Sequence, residues 1–155
     1  MIRLIQYVYL MCLSYKLVAS NSYFSQEADD NKNSKINTGI ALILKSESIK
    51  NKIENPSGYG KDLTKELYFF YEELQVLLKA IEETNFALTD AQLVTLKALV
   101  KEGGPSYLKA KVSNGLLIGK YGWTSIELND FVEMINDSRS VWQKIDKTAR
   151  TKNIV

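Results

Sequence analysis

One apolar stripe constrains the fold of this 155-residue chain more than any other feature of its sequence. Between Asp62 and Glu83, seven apolar side chains fall within about 100° of one another on a helical wheel. This arrangement predicts an amphipathic helix of about six turns that packs its apolar face against other helices. The residues of the stripe are Leu63, Leu67, Phe70, Leu74, Leu77, Leu78 and Ile81.

The back of the same helix carries a second apolar line. It consists of Phe69, Val76 and Ala80, with Tyr68 near its edge. A helix that is apolar on two sides either lies at the centre of its own fold or is half exposed to a partner. The sequence leaves both interpretations open for Phe69 and Val76.

The segment from Ile36 to Glu54 also has helical spacing, with a change of apolar face midway. We expect a helix here, and a buried strand over the unbroken run from Gly39 to Leu44 is the alternative. Pro56 and the two glycines that follow it end the element, because proline disfavours helix in the residue before it.

Two later helices begin with the same signal. Thr89 is followed three residues later by Gln92, and Thr124 by Glu127, and apolar residues flank both caps. A threonine cap with Gln or Glu three residues on is typical of a capping box, in which each side chain bonds the backbone N–H of the other residue. We expect the first helix to stop at Gly103-Gly104 and the second to continue to about Ala149.

The segment from Pro105 to Gly122 has two interpretations. A short helix that starts at Pro105 and ends at Asn114-Gly115 is favoured, and a short β-hairpin around Leu108–Ile118 is the alternative. Residues 116–123 are then a mobile apolar connector and the best binding surface among the loops. Its contacting side chains would be Leu116, Leu117, Tyr121 and Trp123, although Trp123 is also placed to staple the next helix through Leu128.

Together these elements predict a mainly α protein, a compact bundle of four to five helices formed by residues 36–150, with 151–155 as a tail. The N-terminus predicts export, because Arg3 precedes an apolar run from Leu4 to Leu13 that is too short to span a bilayer, and Val18-Ala19-Ser20 resembles a cleavage site. We therefore expect residues 1–20 to be a cleaved signal peptide and residues 21–35 to be a disordered polar lead. The mature chain would have no membrane span.

Cleavage after Ser20 would also remove Cys12, the single cysteine, and leave 18 basic and 18 acidic residues. A balanced chain has no long-range field that would gather nucleic acid or anionic lipid. Without cysteine, the domain has to be stabilised by apolar burial between helices and not by disulfides.

The sequence offers no catalytic constellation. It has no histidine, which excludes Ser-His and Cys-His nucleophile pairs and an ordinary zinc site, and it has no phosphate-binding glycine loop. We expect neither an enzyme nor a bound cofactor or metal. The first hypothesis is a secreted protein that binds a protein partner, as an effector, an immunity or inhibitor protein or a host-response factor. The alternative is a helical carrier of a lipid or another apolar molecule.

Overall fold

A computed structural model describes residues 34–37, 39–41, 43–56, 60–83 and 88–155. The predicted signal peptide and residues 21–33 of the predicted polar lead lie outside the described residues. Ser34 and Lys35, the last two residues of that lead, are already helical. Residues 35–155 form one compact unit.

The described part of this unit consists of helices and their connections, without strands, as the mainly α prediction required. Residues 34–37, 39–41 and 43–44 are helical, and a turn at Lys45 separates them from the next helix. The remaining elements are α1 (Ser46–Glu54), α2 (Gly60–Glu83), α3 (Asp90–Lys101), a 3₁₀ turn (Ser106–Lys109), α4 (Asn114–Tyr121) and α5 (Ser125–Thr151).

The stripe on α2 is the centre of the core, as its periodicity predicted. Leu67, Leu74, Leu77 and Ile81 are fully buried, and the rest of the stripe is buried or nearly so. The strand alternative for residues 39–44 is wrong, since the described residues there are helical. Gly39 lies against the backbone of Glu73 on α2, where a Cβ would approach the carbonyl oxygen of Glu73 to 3.2 Å.

Helices α2 and α5 form the main packed pair, and they run parallel. At one end, a Cβ on Gly60 would lie 3.1 Å from the Cβ of Glu127. At the other end, Lys152 Nζ donates to the carbonyl of Ile81 at 2.7 Å. Because the two helices point the same way, the chain between them has to return along the whole length of the pair, and the described residues 88–124 lie on this return.

Both capping boxes are present. Thr89 Oγ1 accepts from the Gln92 N–H and Gln92 Oε1 accepts from the Thr89 N–H, and Thr124 and Glu127 make the same two bonds. Helix α3 then ends in a Schellman turn, with Gly104 N–H donating to the carbonyl of Leu99 at 2.8 Å. The predicted boundaries of α3 and α5 are therefore confirmed.

The predicted structure of residues 105–122 is wrong in both forms. Pro105 precedes a single 3₁₀ turn, Asn114 begins helix α4 where a helix end was expected, and the β-hairpin does not form. The alternation that suggested strands has another cause, because Leu108, Ala110 and Val112 are wholly or partly buried against the core while Lys109 and Lys111 are exposed. Tyr107 and Leu108 are buried together in the 3₁₀ turn, and Tyr107 packs on Phe70 with ring centroids 5.4 Å apart.

Candidate interaction surface

Phe69 is exposed in the middle of α2, the helix that forms the centre of the core. It retains 64% of its accessible surface, and its neighbour Tyr68 retains 47%. The second apolar line on α2 is therefore buried at one end and exposed at the other. Ala80 is buried at its C-terminal end, Val76 is half buried, and Phe69 lies open at its N-terminal end.

Tyr68 is held in place by two neighbours on its own helix. A hydrogen bond between its hydroxyl and Glu72 raises the pKa of Tyr68, and the Coulombic effect of the Glu72 carboxylate adds to this. The ring of Tyr71 lies 6.3 Å away, tilted by 43°, and the Tyr71 hydroxyl accepts from Gln75 Nε2 at 2.6 Å. Tyr68 and Tyr71 thus form an aromatic pair on α2 beside the exposed Phe69.

Glu73 follows Phe69 by one helical turn and is only half exposed. Burial raises the pKa of Glu73, and the neighbouring Glu72 carboxylate adds to the shift. This side chain lies at the side of α2 that Gly39 contacts, 3.8 Å from the position of a Cβ on Gly39. The charge of Glu73 is therefore disfavoured where α2 meets the helical residues around Gly39.

Two open depressions of about 390 Å³ each lie along the groove between α2 and α5. The first is lined by Thr64, Lys65, Tyr68, Glu127, Asp130 and Met134. The second is lined by Tyr71, Gln75, Leu78, Lys79, Glu82, Asp137, Ser140, Val141 and Lys144. Both carry charged groups of both signs at the solvent boundary, which suits a polar, partly aromatic contact better than the burial of a lipid chain.

The second predicted surface, residues 116–123, is divided between core and solvent. Leu117 and Trp123 are buried at 1% and 3% exposure, Tyr121 is half buried and Leu116 is partly exposed. These residues form helix α4 and its left-handed end at Gly122, so the expected mobile connector is wrong. Trp123 packs edge-on against Phe131 with centroids 5.3 Å apart and closes over Gly60.

Burial of Trp123 agrees with its alternative role as a staple at the start of α5, since Leu128 is buried as well. The structure does not bring Leu116 and Tyr121 together with Phe69 in any contact or depression described above. Of the predicted interaction residues, Tyr68 and Phe69 are neighbouring and exposed. They are the best-defined part of the candidate surface.

Sequence reasoning missed other exposed apolar residues and one buried polar pair. Val94 on α3 and Ile126 on α5 retain 66% and 72% of their surface. The hydroxyls of Tyr107 and Ser138 are buried without a hydrogen-bond partner among the described residues. Burial raises the pKa of Tyr107 well above its usual range, and the nearby Ser138 hydroxyl, which does not meet the geometry of a full hydrogen bond, acts in the opposite direction. The apolar periodicity of the sequence singled out neither Tyr107 nor Ser138, because it cannot show which polar atoms two different elements bring together.

Within the described ranges, no three Cys, Asp or Glu side chains are grouped so that they could hold a metal ion. No helix in that part of the chain is long and apolar enough to cross a membrane. No protein-family model matches the chain, and comparisons with curated proteins and with solved structures found no match.

Proposed function

We propose that this protein is secreted and acts by non-covalent binding to a protein partner through a surface centred on Phe69 and Tyr68. The observation that carries the proposal is the 64% exposure of Phe69 in the middle of α2, the helix that also forms the centre of the core. A phenylalanine on such a rigid support presents a large contact area, and little conformational entropy is lost on binding.

The surroundings of Phe69 suit a protein contact. Tyr68 combines an aromatic face with a hydroxyl whose pKa is raised by the neighbouring Glu72, and aromatic residues are enriched at the centres of protein interfaces. Charged residues border the aromatic pair on the same helix, among them Lys65 and Glu72, both exposed. An apolar centre with a polar rim is the usual anatomy of a protein–protein interface.

The alternative function is that of a carrier of an apolar molecule, which requires a different kind of site. A carrier needs an enclosed apolar cavity, whereas the two depressions beside α2 are open and have charged residues at their edges. The open, charge-lined depressions therefore favour a protein partner over an apolar ligand. Mass spectrometry of an organic extract of the purified native protein tests the alternative, because a stoichiometric apolar ligand would support it.

Secretion rests on the sequence of residues 1–20, and intact mass tests it. We expect the protein recovered from the medium of producing cells to begin at Asn21 or within two residues of it and to lack a free thiol. A recovered species that still contains Cys12 would contradict export with cleavage.

Two variants test binding. Each replaces one exposed apolar side chain, and the two side chains lie on different helices. Phe69→Ser removes the proposed contact, and Val94→Ser changes a side chain of similar exposure on α3. Each immobilised variant and the parent are presented to the fluid into which the protein is released, and captured proteins are quantified. We expect one defined protein to be captured by the parent and by Val94→Ser and to be lost with Phe69→Ser. Equal loss with both variants, or loss with neither, would contradict a Phe69-centred surface.

A further inference from the structure

Helix α5 exposes a second regular stripe on the side opposite to its buried face. Its members are spaced alternately four and three residues apart, which keeps them on one side of a helix. All of them are exposed, while the buried residues of α5, such as Phe131, Ile135 and Ile145, face the core. The stripe consists of Ile126, Asp130, Glu133, Asp137, Ser140, Lys144, Lys147 and Thr151.

The charges along this stripe are separated by sign. Its acidic residues all precede Ser140 and its lysines all follow it, so that Glu133 and Lys147 lie seven residues on either side of Ser140. At 1.5 Å per residue, each lies about 10 Å from Ser140 along the helix axis. Asp137 and Lys144 lie three residues before and four residues after it. None of these four side chains forms an ion pair among the described residues.

We propose that this stripe binds a second copy of the chain, with the two α5 helices antiparallel about a two-fold axis near Ser140. In that arrangement each residue before Ser140 lies opposite the residue equally far after it in the other copy. Glu133 then faces Lys147, Asp137 lies within one residue of the position that faces Lys144, an offset of about 1.5 Å along the axis, and the symmetry repeats both pairs. A surface whose acidic and basic halves mirror each other about one point is self-complementary, which is the requirement for a two-fold interface.

The shape of the surface agrees with this partner. The stripe forms a ridge between two grooves, one shared with α2 and lined by Tyr71, Gln75 and Lys79, the other beside Asn114 and lined by Leu128 and Val132. Packed helices place the ridge of one into the grooves of the other. Ser140 at the crossing point is small, and its hydroxyl already donates to the carbonyl of Asn136 at 3.0 Å, so close approach leaves no unpaired group.

The ends of the stripe add an apolar contact. Ile126, the most exposed large apolar residue of α5, lies fourteen positions before Ser140. The antiparallel arrangement places it near the C-terminal end of α5 in the other copy, where the chain leaves the helix after Thr151 and Val155 is 38% exposed. A parallel arrangement would instead bring like charges together along the whole stripe, which is unfavourable.

The interface is expected to be weak and sensitive to salt. Exposed ion pairs each contribute little, and their effect is screened when ionic strength rises. The dimer should therefore form at high protein concentration in about 0.01 M salt, where charges act over about 30 Å, and dissociate in about 1 M salt.

Two reciprocal variants of the full chain test the proposal. One is Glu133→Lys with Asp137→Lys, and the other is Lys144→Glu with Lys147→Glu. Alone, each variant places like charges opposite one another in the dimer, whereas a mixture of the two restores opposite charges at all four pairs. Sedimentation velocity at low salt measures association, and circular dichroism melts establish that both variants are folded.

We expect the parent to dimerise, each variant to associate at least about tenfold more weakly, and the mixture to recover the affinity of the parent as a heterodimer. Association through the apolar residues near the N-terminus would be the same in all four samples, so it is distinguishable. A parent that stays monomeric at low salt, a parent dimer that both variants retain, or a mixture no tighter than its components would overturn the proposal.

Discussion

Gly104 lies against the indole ring of Trp142, and a Cβ on Gly104 would fall 2.7 Å from the Cδ1 atom of Trp142. Gly104 also has a positive φ of 104° and closes the Schellman turn at the end of α3. Glycine is therefore favoured at position 104 for two reasons. It closes the turn that ends α3, and it leaves room for the buried Trp142 of α5. The contact fixes the end of α3 onto the centre of the longest helix.

Gly104→Ala should destabilise the protein more than Gly103→Ala. Both glycines have positive φ, which costs a side chain about 1 kcal/mol, but only the Cβ at position 104 meets Trp142. Overpacking should add about 1 to 3 kcal/mol to the free energy lost at position 104. Denaturant unfolding of the two variants measures the difference. Equal losses would mean that the indole ring moves aside without cost.

Core truncation on α2 should cost more than loss of a helix cap. Leu74→Ala and Leu77→Ala each remove a fully buried side chain and should cost about 2 to 5 kcal/mol. Thr89→Ala and Thr124→Ala remove the capping bonds and should cost about 0.5 to 2 kcal/mol each. Denaturant melts rank the four variants. Cap variants less stable than the leucine variants would place the centre of the core elsewhere.

Phe69 and Phe70 are adjacent, and the same substitution should separate their roles. Phe69→Ser should leave the free energy of unfolding within about 0.5 kcal/mol of the parent, because the ring is already in water. Phe70 is 8% exposed and packs on Tyr107, so Phe70→Ser should cost about 3 to 5 kcal/mol. Thermal and denaturant melts measure both. A large loss at Phe69 would make it part of the core and remove the basis of the proposed binding surface.

Local signals predicted much of the fold. The apolar period of α2 and the two capping boxes depend only on residues within a few turns, and the structure has all three where the sequence placed them. The parallel direction of α2 and α5 could not be predicted in this way, because it depends on how the intervening residues return across the pair. Periodicity says which face is buried and not which way a neighbour runs.

The segment around Tyr107 failed for a related reason. Alternating Leu108, Ala110 and Val112 satisfy a strand pattern, but the described residues form no strand that could pair with them, and Tyr107 is buried against Phe70 instead. For the candidate surface, the sequence identified Phe69 as lying off the main stripe but could not decide whether another element covers it. Leu117 and Trp123 are residue types common at contact surfaces, but both are buried, and Trp123 lies against Gly60 of α2 and Phe131 of α5.

Lys152 should stabilise the C-terminal end of α2. Its Nζ atom donates to the carbonyl of Ile81 at 2.7 Å, where the last carbonyls of a helix carry partial negative charge. Lys152→Met should cost about 0.5 to 1.5 kcal/mol, a value limited by the exposure of the lysine. Lys97→Met, on the exposed side of α3, is the control and should change stability by less than about 0.5 kcal/mol. Equal effects of the two variants would show that the contact contributes nothing.

The stability contributed by Glu73 should depend on pH in a direction opposite to that of a salt-bridged carboxylate. Burial raises the pKa of Glu73 in the folded protein above its ordinary value of 4.5, so the folded state binds the proton more tightly than the unfolded state does. The stabilisation from this proton is complete below pH 4.5 and is lost as the pH rises through the folded-state pKa.

Glu73→Gln keeps the shape of the protonated side chain and cannot ionise. We therefore expect this variant to match the parent below pH 4.5 and to be more stable than the parent at neutral pH, as measured by denaturant unfolding across this range. Glu102→Gln, at an exposed position, controls for the loss of one surface charge. A Glu73→Gln variant that is less stable than the parent at neutral pH would show that the carboxylate is favoured where α2 meets the residues around Gly39. The destabilisation that we attribute to burial of the charged Glu73 carboxylate would then be wrong.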